Sequence, residues 1–220
     1  EAAIEVINRA LEYKPDYAEA FCNLGNVFKV QGKPVQAAEQ YRKAIALKPN
    51  FAQAHCNLGL VQQGMGKFND AVNSCQRAIA VQPNFSEAHF NLGVLLQLQG
   101  QLDKSITSYQ QAIFHKPDYA AAFNNLGVAC VALGQNQLAE DSYFQALTLK
   151  PDYPEAFNNL GLVLLATGKT QAALQSLYSA IELKPDYAEA HNSLGAVYKD
   201  LGQIEQAKEW YRKACKLGQH

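Results

Sequence analysis

Apolar positions recur along this 220-residue chain at helical spacing and again with a period of 34 residues. In the first stretch, Ile4, Ile7 and Leu11 fall on one side of a single helix. A leucine then returns once per period, at Leu24, Leu58, Leu92, Leu126, Leu160 and Leu194. A tyrosine occupies one later position in most periods, at Tyr41, Tyr109, Tyr143 and Tyr211. This pattern predicts helical repeats that bury their apolar side chains against one another.

Prolines and glycines recur with the same period, and the proline series and the Gly32 series mark where the predicted helices end. Each of three series has the 34-residue period: Pro15, Pro49, Pro83, Pro117, Pro151 and Pro185; Gly25, Gly59, Gly93, Gly127, Gly161 and Gly195; Gly32, Gly66, Gly100, Gly134, Gly168 and Gly202. In residues 118–151, a first helix should end at Gly134, and a second should run from about Asn136 to the residue before Pro151. Short connections make the two helices antiparallel.

Two further periodic features predict local contacts. Pairs that match a capping box precede most first helices, namely Asp16 with Glu19, Asn50 with Gln53, Asn84 with Glu87, Asp152 with Glu155 and Asp186 with Glu189, whereas Asp118 is followed by Ala121. The Gly25 series lies inside the first helix, which predicts close helix approach. We expect the glycines to face the small residues of the second helix, Ala44, Ala78, Ala112, Ala146, Ala180 and Ala214.

The spacing of these residues is that of a known repeat. Leu126, Gly127, Ala139, Tyr143, Ala146 and Pro151 fall at tetratricopeptide positions. The chain therefore resembles a tetratricopeptide-repeat array, although Phe21, His55, His89, Phe123, Phe157 and His191 replace the usual tryptophan. The resemblance implies an all-α, right-handed superhelical solenoid of antiparallel helix pairs. The predicted organisation is a leading half repeat at 1–17 and six repeats at 18–51, 52–85, 86–119, 120–153, 154–187 and 188–220.

Composition excludes several classes of function. A chain with a net charge of -1 lacks the positive electrostatic field that nucleic-acid binding requires. No apolar run approaches the length that membrane insertion requires. The five cysteines form no C-x-x-C pair and are odd in number. We expect them to be small buried or half-buried residues in a reducing, cytoplasmic compartment. The first residues include no basic region followed by an apolar stretch, so we expect no signal peptide.

The sequence contains no recognisable catalytic, cofactor-binding or metal-binding motif. His55, His89 and His191 occupy a position that is aromatic in the sister repeats, so we expect them to pack in the core. No Asp/Glu pair stands out for acid–base chemistry. These observations predict a protein that is not an enzyme and that needs no cofactor or metal.

In each first helix, the face that does not pack on the second helix is rich in amide side chains. What we call the asparagine row comprises Asn23, Asn57, Asn91, Asn125 and Asn159 and ends at Ser193. One residue earlier is the preceding row, which comprises Cys22, Cys56, Phe90, Asn124, Asn158 and Asn192. Three residues later is the apolar row, which comprises Asn26, Leu60, Val94, Val128, Leu162 and Ala196. In a tetratricopeptide array, the resemblance implies that this face is concave.

Such a face suits an extended peptide. An asparagine amide offers a donor and an acceptor, so it can pair with a peptide backbone whatever the side chains are, while the apolar row would bury side chains. The alternative is that the asparagines only bond neighbouring backbone or bridge adjacent repeats. The asparagine row resembles that of O-linked N-acetylglucosamine transferases, which implies that its members hold substrate backbone. A carboxylate clamp is not expected, because Cys22 stands where a lysine is required.

Three functions remain open at this stage. The leading interpretation is a non-catalytic scaffold that binds an extended protein or peptide. The second is the substrate-recruiting region of a larger enzyme, such as a glycosyltransferase. The third is self-association through the end helices, since head-to-tail contacts of this kind can form filaments.

Overall fold

The computed structural model describes residues 2–218, which form thirteen α-helices and no strand. The all-α prediction is therefore confirmed. Two compact units are present, Glu1–Pro117 and Asp118–His220. The first contains α1 (Ala2–Tyr13), α2 (Ala18–Val30), α3 (Pro34–Leu47), α4 (Ala52–Gly64), α5 (Phe68–Val81), α6 (Ser86–Leu98) and α7 (Leu102–His115). The second contains α8 (Ala120–Ala132), α9 (Asn136–Leu149), α10 (Pro154–Ala166), α11 (Thr170–Leu183), α12 (Ala188–Asp200) and α13 (Ile204–Leu217).

Each unit is built from helix pairs. In the first unit α1 packs on α2, and the pairs are α2 with α3, α4 with α5 and α6 with α7. In the second unit the pairs are α8 with α9, α10 with α11 and α12 with α13. Within a unit, the first helices of neighbouring pairs also touch, as α4 does with α2 and α6, and α10 with α8 and α12. These contacts bring the amide-bearing faces of consecutive repeats together.

The turn inside each pair depends on its glycine. Gly134 has φ +73°, and its five equivalents share this left-handed conformation. A residue with a β-carbon would be strained there, which is why glycine ends the first helix. The predicted helix ends at these glycines are confirmed.

The predicted capping boxes are wrong. Each first helix after α1 begins one residue later than expected, so a tyrosine or phenylalanine such as Tyr17 or Phe51 is the N-cap, and none makes a side-chain cap hydrogen bond. In the first unit, the acidic residue instead reaches the lysine that ends the second helix. Glu19 lies 2.7 Å from Lys48. The predicted cap residue lies one position before the observed N-cap, and Glu19 bonds across the hairpin to Lys48.

The partner expected for the helical glycines is also wrong. A β-carbon on Gly127 would lie 2.6 Å from the ring of Tyr143, and one on Gly25 would lie 2.6 Å from the ring of Tyr41. In all six pairs, the nearest atoms belong to other residues and not to the small alanine of the second helix. The glycine is therefore needed to admit a ring or another side chain from the facing helix.

The repeated histidines pack as predicted. His89 and His191 are buried, and His55 is half-buried. Their Nε2 atoms lie 2.8–2.9 Å from a proline carbonyl oxygen six residues earlier. Because a carbonyl can only accept, each Nε2 must carry the hydrogen. The histidine thus ties the first helix to the connection that precedes it.

Candidate functional site

In the first unit, the asparagine row lies along the contacts between first helices. Asn57 on α4 donates from Nδ2 to Oδ1 of Asn26 on α2 at 3.0 Å. That same oxygen accepts from the Tyr41 hydroxyl at 2.8 Å. One repeat later, Asn91 on α6 donates to the Cys56 sulfur at 3.3 Å. The buried amides therefore bridge neighbouring repeats, which is one of the two roles considered from the sequence.

The second unit uses the same bridge with different acceptors. Asn159 on α10 donates to Oδ1 of Asn124 on α8 at 3.1 Å. The Nδ2 of Asn124 in turn donates to Oδ1 of Asn125 at 3.2 Å. On α12, the Ser193 hydroxyl donates to Oδ1 of Asn158 at 2.8 Å. In this unit, Asn159, Asn124 and Asn125 are linked by consecutive hydrogen bonds.

These bonds leave part of each amide unused. An asparagine side chain has two N–H groups and an oxygen with two lone pairs. Among the described residues, the Oδ1 atoms of Asn91 and Asn159 and the Nδ2 of Asn125 have no side-chain or backbone partner. They are not sealed inside the fold, because the only buried side-chain N or O atom without a partner in the described chain is Nδ1 of His191.

Exposure differs along the three predicted rows. Asn23 and Asn192 are exposed, Asn125 and Asn159 are half-buried, and Asn57, Asn91, Asn124 and Asn158 are buried. The apolar row is half-buried at Asn26, Leu60, Val94 and Val128, and it is exposed at Leu162. Phe90 is half-buried, with its ring 5.8 Å from that of Tyr109. Most of the asparagine row therefore presents edges of amides and not whole side chains.

Two cavities open beside Leu162 in the second unit. The smaller, of about 190 Å³, is lined by Val128, Val131, Asn136, Tyr143, Asn159, Leu162, Val163 and Ala166. The larger, of about 530 Å³, is lined by Asn158, Leu162, Ala188, Glu189, Asn192, Ser193, Ala214 and Cys215. Residues predicted from the sequence for the peptide-binding face thus share pockets with Tyr143 and Glu189, which sequence spacing had assigned to packing and to helix capping. The first unit has a cavity of about 680 Å³ on other residues, including His55 and Arg77.

The cysteines divide into two kinds. Cys22, Cys56, Cys75 and Cys130 are buried, as predicted, but Cys215 is exposed, which corrects that expectation. Burial raises the pKa of the Cys56 thiol to about 11, against a smaller opposing effect of the hydrogen bond from Asn91. Burial likewise raises the pKa of Cys75 to about 12. Thiols of this kind are protonated at neutral pH and unreactive.

We expect one fast thiol per native chain when Ellman's reagent is added at pH 8. Cys215 is exposed, whereas about one Cys56 thiol in a thousand is ionised at that pH with a pKa of about 11. The other four thiols should react only after urea unfolds the chain. A Cys215→Ser variant should lose only this fast phase, and any fast-reacting thiol that remains in the variant would contradict the assignment.

No described helix has both the length and the apolar character needed to cross a membrane. Within residues that the structure describes, no group of three or more His, Cys, Asp or Glu side chains is arranged to hold a metal ion.

Family models of one kind of repeat match consecutive segments along the chain. The model described as "TPR repeat" matches residues 1–32, 31–66, 98–134, 129–168 and 163–202. Two models described as "Tetratricopeptide repeat" match residues 52–85 and 188–219, and residues 74–107. No curated protein matches the chain in sequence.

Solved structures have the same fold. MamA is 25% identical with a TM-score of 0.67, and the match covers 74% of this chain and 95% of that one. YrrB, described as a TPR protein with an unusual peptide-binding site, is 21% identical with a TM-score of 0.70, and the match covers 85% and 96%. PilF of Pseudomonas aeruginosa is 20% identical with a TM-score of 0.78, and the match covers 88% of both chains. At 20 and 21% identity, the last two likenesses show the fold alone.

Proposed function

Since this chain belongs to the tetratricopeptide-repeat family, we propose that it is a non-catalytic scaffold that binds an extended polypeptide along its first helices. The supporting observation is the set of hydrogen bonds between consecutive first helices. Bonds such as those from Asn57 to Asn26 and from Asn159 to Asn124 fix the amides before any ligand arrives. Fixed polar groups cost less ordering entropy on binding than mobile ones do.

The amide atoms that make no hydrogen bond within the described protein can bind the backbone of a ligand. Oδ1 of Asn91 and Asn159 can accept a backbone N–H, and Nδ2 of Asn125 can donate to a backbone carbonyl. Neighbouring Val94, Val128 and Leu162 retain accessible apolar surface for the side chains of the ligand. Since bridging uses only one N–H of Asn91 and of Asn159, a structural role and a binding role are compatible in the same residue. YrrB, whose description mentions peptide binding, is consistent with this proposal.

The proposal is tested with a peptide selected from a library of capped, random 12-residue peptides. Its Kd is measured by fluorescence polarisation for the wild type and for an Asn91→Ala, Asn125→Ala, Asn159→Ala variant. Each lost hydrogen bond costs about 0.5–1.5 kcal/mol, so the triple variant should bind about 10-fold or more weakly. Methylating the backbone nitrogens of the peptide should weaken binding comparably.

The matched control is an Asn50→Ala, Asn73→Ala, Asn84→Ala variant, which removes three exposed amides that lie outside the three rows. It should bind within about twofold of the wild type, because it retains every proposed contact. Circular dichroism at the assay temperature confirms that all three proteins are equally helical. Equal peptide affinity of the two triple variants would show that the asparagine row is structural only, and the proposal would fail.

A second proposal is that this array recruits substrate for a larger enzyme, such as a glycosyltransferase. It is suggested by the asparagine row, which we interpret as similar to that of O-linked N-acetylglucosamine transferases, in which such a row is implied to hold substrate backbone. The test is the sequence of the parent gene on either side of these residues. Catalytic sequence there supports the second proposal, and a gene that encodes repeats only would contradict it.

Self-association through the end helices is a third proposal. It is favoured by α1, where Val6 is 67% exposed and Tyr13 is 86% exposed. Covering such side chains would stabilise a contact between copies. Light scattering should then show a mass that rises with concentration in the wild type and falls back in a Val6→Ser, Tyr13→Ser variant. A constant monomer mass over the concentration range would rule this out.

The cytoplasm, as a reducing compartment, is the proposed location. It suits a chain whose five cysteines are all free. Fractionation of cells that express the parent protein tests this directly, and recovery from an oxidising compartment with Cys215 in a mixed disulfide would contradict it.

A further inference from the structure

We propose that the smaller cavity of the second unit selects one ligand residue, and that this residue carries a neutral apolar side chain of leucine to phenylalanine size. The inference rests on the proposed function, because Val128, Asn159 and Leu162 belong to the rows assigned to the peptide. It goes further in assigning selectivity for one class of side chain to a single cavity of that surface.

The lining of the cavity excludes charge. Three consecutive helices contribute to it: α8 provides Val128 and Val131, α9 provides Asn136 and Tyr143, and α10 provides Asn159, Leu162, Val163 and Ala166. None of these side chains is charged at neutral pH. A lysine or glutamate side chain placed here would lose its hydration and gain no counterion, which is strongly unfavourable.

The volume sets the size of the occupant. The cavity holds about 190 Å³. For comparison, an engineered apolar cavity of about 150 Å³ binds benzene, a group of six carbon atoms. By this comparison, the four-carbon side chain of leucine and the seven-carbon side chain of phenylalanine are both of a suitable size, whereas a glycine would leave the cavity filled with water. A side chain of either size therefore displaces water from apolar surface.

Asn159 can also bind the backbone of the ligand residue whose side chain enters the cavity. Its Nδ2 is committed to Asn124 at 3.1 Å, which fixes the orientation of the amide. Its Oδ1 has no partner in the described part of the chain, and Asn159 is one of the residues that line the cavity. The backbone N–H of a residue whose side chain enters the cavity can donate to that oxygen. One ligand residue is thus recognised by two different groups.

The probe is N-acetyl-leucine-N-methylamide, which carries one leucine side chain between two peptide groups. It is titrated into the whole chain while methyl NMR spectra are recorded. We expect saturable shifts at the methyl groups of Val128, Val131, Leu162 and Val163. The capped glycine and capped lysine analogues should bind about 10- to 100-fold more weakly, which is the effect of burying one leucine side chain.

A variant that fills the cavity with a larger side chain is the decisive test. Ala166 ends α10 and lines the cavity, and Ala132 occupies the equivalent end of α8 outside that lining. Both alanines are exposed, so neither substitution should unfold the chain. Ala166→Leu should abolish the preference for the leucine probe, whereas Ala132→Leu should leave it unchanged.

The outcomes separate this inference from the proposed function. Equal binding of the leucine and glycine probes, or an undiminished leucine preference in Ala166→Leu, would overturn the selective cavity even if long peptides bind the asparagine row. A leucine preference that Ala166→Leu removes supports the cavity. That result would stand even if the asparagine variants show that capture of longer peptides does not depend on the amides.

Discussion

Replacing Tyr143 with alanine should lower the free energy of unfolding by about 3–5 kcal/mol, the usual cost of truncating a buried aromatic side chain. Tyr143 is 2% exposed and its ring lies close to Gly127 of α8, so its removal would leave a cavity between the two helices. The measurement is urea unfolding followed by circular dichroism. Hydrogen exchange in α8 and α9 would report the same loss locally, since repeat arrays need not unfold as a single unit.

The next residue provides the control. Phe144 is 48% exposed on the same helix, so Phe144→Ala removes much less buried surface than Tyr143→Ala does, and it gains helix propensity. Its effect should be no more than about 1.5 kcal/mol. Comparable losses for the two variants would contradict the assignment of Tyr143 to the core of the repeat.

Replacing Gly127 with alanine should destabilise the chain by about 1–3 kcal/mol, although alanine is the better helix former. The added β-carbon would lie 2.6 Å from the Tyr143 ring. Helix propensity favours alanine by about 1 kcal/mol, which is too little to offset a clash with a buried ring. The measurement is again the urea midpoint, compared with that of the wild type.

The same substitution at Gly64 should have the opposite effect on stability. It lies at the end of α4, and an added β-carbon there would meet nothing within 4 Å. Gly64→Ala should therefore stabilise the chain, by up to about 1 kcal/mol. A double-mutant cycle completes the test, because Gly127→Ala should no longer destabilise a chain that already carries Tyr143→Ala. A persistent loss in that background would show that the ring is not the obstacle.

The same contact links stability to the candidate site. Tyr143 contributes to the wall of the cavity beside Asn159, and it also fills the space that Gly127 leaves open. A variant that loosens this ring should therefore weaken the leucine preference together with stability. This is the reason the proposed test of the cavity uses Ala166, an exposed residue, and not a member of the core.

The sequence by itself determined the repeat, the number and length of the helices and the position of every glycine turn. These features are local. A glycine that must adopt φ +73° and a proline that cannot donate a hydrogen bond act within a few residues, so the 34-residue period carries them directly. The rows of the amide face followed as well, since helical spacing alone places residues three and four apart on one side.

Only the tertiary structure decided what those residues touch. Asn57 and Asn26 are 31 residues apart, and their bond exists because α4 packs on α2. The failure of the predicted capping boxes, the ring of Tyr143 opposite Gly127 and the exposure of Cys215 have the same origin. Periodicity gives the face on which a side chain lies, whereas distance and rotation between packed helices decide its partner.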